Sequence, residues 1–268
     1  MNPTYTMNTT HRPTAATLPP PQRRSTGLAV LLLADALLAF APVAILSPAI
    51  GWPASLGQPA AQQLAAIAAH PGAVTLGYGI YLLYSLLVAP VMIGLAARTF
   101  GGLDGAVAAT VAAFAALSAL ARSIGILRWL TVMPVLAAAH AGSGSDPALR
   151  QQLEWLFRGL TSYGGGIGEV LGVSLLMAAS VGTLAVAGGL RGAMPTWLAA
   201  LGALCAAMLA ALSLPTLVGA DIVPVAAAVS LLSLWMIAAA VWLLRGAKGR
   251  HPGRDVGDVQ ASRSSSGR

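Results

Sequence analysis

Six stretches of this chain, about 27–49, 73–97, 104–123, 164–188, 196–217 and 222–244, are apolar over the length a helix needs to cross a lipid bilayer. A hydrocarbon layer roughly 30 Å thick takes about 20 residues at a rise of 1.5 Å each. Inside that layer no water bonds to the backbone, so such stretches fold as helices or as strands of a closed barrel. Barrel strands are short and alternate apolar with polar residues, a pattern these stretches do not have. The fold class expected is therefore all-α, a polytopic transmembrane bundle of six spans. Composition agrees, with 57% hydrophobic and 9% charged residues, against about 25% charged in soluble domains.

The charges orient the bundle. Eleven of the fifteen Lys and Arg lie in the two tails or at Arg98 and Arg191. The first connection, "GWPASLGQPAAQQLAAIAAHPG", has neither; the second, "RTFGGLDG", and the fourth, "GGLRGAMP", carry one Arg each; the fifth, "PTLVGAD", has none. Positive and neutral connections alternate, and the retention of Lys and Arg on cytoplasmic loops predicts both termini in the cytoplasm. That retention also accounts for the net charge of +7, so no nucleic acid is expected as a partner. Membrane lipids are, together with a second copy of the chain or a partner membrane protein.

Three regions follow: residues 1–26, rich in Pro, Thr and Asn, as a disordered cytoplasmic tail; 27–245 as the six-span domain; 246–268 as a disordered basic cytoplasmic tail. Arg23 and Arg24 precede an apolar stretch as in a twin-arginine export signal. That stretch runs to about Ile50 and more spans follow, so it is expected to stay as an anchor.

The third connection departs from the others. In "PALRQQLEWLFRGLTSY", Leu149, Leu153, Leu156, Phe157 and Leu160 recur at helical spacing, with Arg150, Glu154 and Arg158 on the opposite face. Two readings fit: an amphipathic helix lying on the outer membrane surface, or a helix packed over the ends of the spans. Either way residues 126–163 form an outer helical cap.

Polar residues within the spans are the candidates for function. Asp35 lies on the order of 12 Å into the first span, where it serves either a proton or cation path or, neutral and hydrogen-bonded, helix packing. Tyr78 and Tyr81 share a face with Ser85, as the lining of a polar crevice or as aromatic core. In "YGGGIGEVLG", Gly164, Gly168 and Gly172 recur every four residues as a helix-packing stripe beside Glu169. The glycine spacing there does not match a dinucleotide loop. His70 and His140 lie in separate loops without ligand spacing, and Cys205 is the sole cysteine, so neither metal nor cofactor is expected. No nucleophile-and-base motif suggests catalytic residues.

Arg122 and Arg128 interrupt the apolar run "ALARSIGILRWLTVMP". Counted from Asp104 at the cytoplasmic boundary, Arg122 stands about 26 Å along the helix. The expectation is that both arginines emerge at the outer boundary, snorkel to water or headgroups, and that one of them pairs with Glu169 under the cap.

"ALARSIGILRWLTVMPVLAAAHA", then "GLTSYGGGIGEVLGVSLLMAAS", then "LRGAMPTWLAALGAL" resemble the bacterial six-span membrane proteins of domain-of-unknown-function family four-three-eight-six, over about residues 25–245. The resemblance implies an architecture, placed in the cytoplasmic (inner) membrane of a bacterial cell, and no mechanism. The residues themselves suggest a non-enzymatic carrier of small solutes or protons, or a membrane sensor subunit, with Asp35, Tyr78, Tyr81, Arg122, Arg128 and Glu169 as its polar interior or pathway. The alternatives are a protein that binds a partner helix through its glycine stripe and an enzyme acting on lipid. A polar cavity reaching Asp35 is what the carrier reading requires.

Overall fold

The computed structural model describes residues 25–220 and 222–248. The expected tails, 1–26 and 246–268, lie outside these apart from Ser25, Thr26 and the end of the last helix. Among the described residues the fold is all-α, with six helical segments long and apolar enough to cross a membrane: Thr26–Ile50, Pro71–Phe100, Ala106–Gly142, Pro147–Leu190, Thr196–Val218 and Val225–Arg245. Large apolar side chains stay exposed on their outer faces, such as Leu120, Ile124 and Leu127 on the third segment. In water that stripe would be a liability, and against lipid it is the expected surface.

The first segment is two helices, α1 (Thr26–Leu38) and α2 (Ala41–Ile50), with Pro42 in the first turn of the second. A 3₁₀ turn (Ala54–Gly57) and α3 (Ala60–Ala69) follow. The second segment is α4 (Pro71–Phe100), opened by Pro71 and closed at Gly101, whose φ of +81° suits a residue without Cβ. The third is α5 (Ala106–Gly142). The chain then turns into α6 (Pro147–Gly165), which Asp146 caps by accepting from the amides of Ala148 and Leu149 at 3.0 and 3.1 Å. A π-helical stretch, Gly166–Met177, carries α6 directly into α7 (Ala178–Leu190). The bundle is completed by α8 (Thr196–Ala211), α9 (Leu214–Val218) and α10 (Val225–Lys248).

Two features differ from the expected boundaries. The helix of the third span does not end near residue 123: α5 runs on for 37 residues, about 55 Å, so its second half belongs to the cap. Nor does the amphipathic helix lie apart from the spans, since α6 continues without a break into the fourth. Together α3, α6 and the second half of α5 form a cap. "RSIGILRWL" holds one glycine and no proline or polar turn, and the helix it continues accommodates Pro134 further on.

Two apolar cores result. One lies toward the end carrying Arg98 and Arg191, and is built from α1, α4, α5, α7, α8 and α10 around Trp235, Met92 and Leu184. The other lies under the cap, from α2, α3, α4, α5 and Phe157 of α6. Tyr81 packs against both. The polar residues gather at that junction.

Candidate functional site

At the junction α4 contributes every third residue to one column. Tyr78 stacks on Trp129 of α5 (centroids 4.8 Å apart, rings 2° from parallel), and Tyr81 stacks on Tyr84 at 6.0 Å. Trp52, from the turn after α2, meets Tyr81 edge-on at 5.9 Å. Helical spacing of 78, 81 and 84 is what lines up the three tyrosines. On the facing side α5 presents Arg122, Gly125, Ile126 and Trp129 at the three- and four-residue steps of one helix face.

The third wall is the π-helical stretch. A Cβ on Gly125 would come within 2.7 Å of the Gly168 Cα, so α5 and this stretch touch backbone to backbone. Ser118 Oγ donates to the Gly172 carbonyl at 2.7 Å, and Ser174 Oγ donates to the Glu169 carbonyl at 2.9 Å. Gly164, Gly168 and Gly172 thus serve packing inside the chain. Two of them also seat charges. A Cβ on Gly172 would lie 2.8 Å from the Arg122 Cγ, and one on Gly164 would lie 2.5 Å from an Arg128 nitrogen.

Between these walls lies a cavity of about 40 Å³ lined by Tyr78, Tyr81, Arg122, Arg128, Trp129 and Glu169, with Trp52 and Leu56 at its cap side. Five of the six residues singled out from the sequence meet here. Arg122 is buried, 3% exposed, with its guanidinium 4.5 Å from the centre of the Tyr84 ring. The expected snorkelling therefore fails for Arg122: an aromatic face, not water or headgroups, covers the charge. Arg128 is half-buried, donates through Nη1 to the Gly125 carbonyl at 2.7 Å, and lies 5.4 Å from the Trp129 ring. The Nε atoms of both arginines and the Tyr78 hydroxyl are buried without a hydrogen-bond partner.

Glu169 is exposed at the edge of the cavity. Its Oε1 and the Arg128 Nη2 both come within 4.0 Å of the place a Gly165 side chain would take, so the two share one corner. They form no ion pair at 4.0 Å. Among the described residues the ion pair is in the cap, Glu154–Arg158 at 3.7 Å, with the His140 ring 3.6 Å from the same carboxylate.

Asp35 stands apart from the cavity. It is fully buried in α1 beside Leu32 and Ala36, with no hydrogen-bond partner on either carboxyl oxygen. Arg122 is the cation whose field reaches it, as Arg128 is for Glu169. Ser85, expected on the face of Tyr78 and Tyr81, is buried outside the cavity lining.

Sequence reasoning missed Trp52, Trp129, Tyr84 and Gly125. The spacing of Arg122, Gly125 and Trp129 carried a signal for two of these. Trp52 reaches the site through a turn whose path no local pattern encodes.

The profile of the family DUF4386, described as a domain of unknown function, matches residues 26–246. No curated protein and no solved structure matches the chain.

Proposed function

We propose, for a chain that belongs to the DUF4386 family of unknown function, that it is a multi-pass membrane sensor subunit whose recognition site is the cavity under the cap. The observation that carries this reading is that Tyr78, Arg122 and Arg128, each with a buried polar atom that has no hydrogen-bond partner, line one small cavity. Buried polar groups normally find partners within the fold. Where residues that carry such groups gather around a concave site, ligand binding is the physical reading.

The burial of Asp35 favours a sensor over a carrier. A carrier that uses Asp35 needs a wet route to it, whereas this carboxyl is packed and faces the apolar core. The glycine stripe is covered by α5 of the same chain, which speaks against its use by a partner helix. By the loop charges, the cap and its cavity face away from the cytoplasm.

Two measurements on protein reconstituted in vesicles test this. The sensor reading expects ligand-dependent quenching of tryptophan fluorescence, since Trp52 and Trp129 line the cavity, with no solute or proton flux above that of empty vesicles. Flux that disappears in Asp35→Asn would overturn it in favour of a carrier.

A further inference from the structure

We propose that the cavity binds one oxyanion, a carboxylate or phosphate group, between Arg122 and Arg128, and that this group belongs to an anionic lipid of the leaflet at the cap end. The proposal rests on the reading of the cavity as a recognition site and names its ligand.

Charge comes first. Two guanidinium groups and one carboxylate line the site, and that carboxylate, on the exposed Glu169, makes no ion pair within 4.0 Å. Arg122, at 3% exposure, has only Asp35 as a distant counter-charge and no ion pair within 4.0 Å, which is costly, and an entering oxyanion lowers that cost. The guanidinium fork is also the side chain best matched to carboxylate and phosphate.

The site is built for these side chains. Gly164 and Gly172 leave room that any Cβ would fill, and Arg128 is anchored through Nη1 to the Gly125 carbonyl at 2.7 Å. Its Nε and that of Arg122 remain without partners, as does the Tyr78 hydroxyl. Donors held in place before binding lose little freedom on binding.

Size and depth then point to the source. A cavity of about 40 Å³ has room for about three waters, enough for an anionic group and too little for the molecule that bears it. The bearer must lie outside, past Glu169 and among the exposed Leu171 and Leu175 of the same stretch. Measured along α5 from Ala106, Arg122 stands about 24 Å and Arg128 about 33 Å up the helix, on either side of a hydrocarbon thickness of roughly 30 Å. Lipid headgroups begin at that level. Glu169, at the edge, competes with the ligand for Arg128.

The test uses the full chain in nanodiscs of phosphatidylcholine, with or without phosphatidylglycerol. Native mass spectrometry after detergent release counts retained lipid, and tryptophan fluorescence follows titrations with inorganic phosphate, acetate and, as an uncharged probe, glucose. Expected are one retained phosphatidylglycerol per chain, retention about tenfold to a hundredfold weaker in Arg128→Gln, partial recovery in Arg128→Lys, and tighter retention in Glu169→Gln. The half-buried position of Arg128 makes its variants the first choice, with thermal midpoints checking their folding; Arg122→Lys provides a second, charge-preserving variant, expected to weaken retention less than Arg128→Gln. Equal retention by wild type and Arg128→Gln overturns the proposal. Saturable phosphate binding that phosphatidylglycerol does not displace overturns the lipid source. Quenching by glucose and by neither anion overturns the oxyanion while leaving the cavity as a recognition site.

Discussion

Asp35 and Arg122 are both buried charges, but their surroundings predict opposite responses to substitution. Asp35 has no hydrogen-bond partner on either oxygen, so Asp35→Asn, which keeps the shape and removes the charge, should leave stability unchanged or raise it by about 1 kcal/mol. Thermal unfolding in detergent measures this, and a loss above about 2 kcal/mol would reveal a tight partner for the carboxylate. Arg122 leans on an aromatic face. Tyr84→Phe should keep most of that contact, whereas Tyr84→Leu should cost about 2 kcal/mol beyond the lost area, read in the same assay. The sequence shows the depth of both residues, because depth follows from counting along a helix. It does not show their environment, because Tyr84 reaches Arg122 from another helix 38 positions back in the chain.

The π-helical stretch and α5 form the tightest contact of the site, and glycines on both sides make it. Gly168→Leu would drive a side chain into the Gly125 Cα, which lies 3.1 Å from a bare Cβ. Its expected cost is about 3 kcal/mol, as for other overpacked interfaces. Gly166, in the same stretch, has nothing within 4 Å of the corresponding position. Gly166→Ala should accordingly be neutral or stabilise by about 0.5–1 kcal/mol, and a pair of melting curves separates the two cases. The four-residue glycine repeat was legible as a packing stripe. Its second use, seating Arg122 and Arg128, was not, since a one-dimensional repeat does not name the side chains that cross it. The continuity of α5 was not legible for a related reason: hydropathy marks where lipid could lie along a helix, not where the helix ends, and α5 continues past both Gly125 and Pro134.

At the scale of the molecule, the number of spans was legible because lipid allows few alternatives to long apolar helices. The arrangement of the spans was not, because Ala- and Leu-rich faces pack interchangeably as far as a pattern can tell. Orientation is open to direct measurement. Cys205 is buried, so the wild-type chain should be silent to a membrane-impermeant thiol reagent. A cysteine at Ser145 in the cap should then react from outside intact cells, and one at Asp104 only after lysis, if the loop charges orient the bundle. The span of α5 has a further consequence. With about 25 Å more helix than the hydrocarbon requires, α5 does not by itself fix the waterline: a thicker bilayer should rise toward the cap, and a thinner one fall away from it. Arg128 lies close to that line. In nanodiscs of longer-chain lipid the mouth of the cavity should sink below the headgroups and tryptophan emission should shift to the blue, so hydrophobic mismatch itself becomes a control on access to the site.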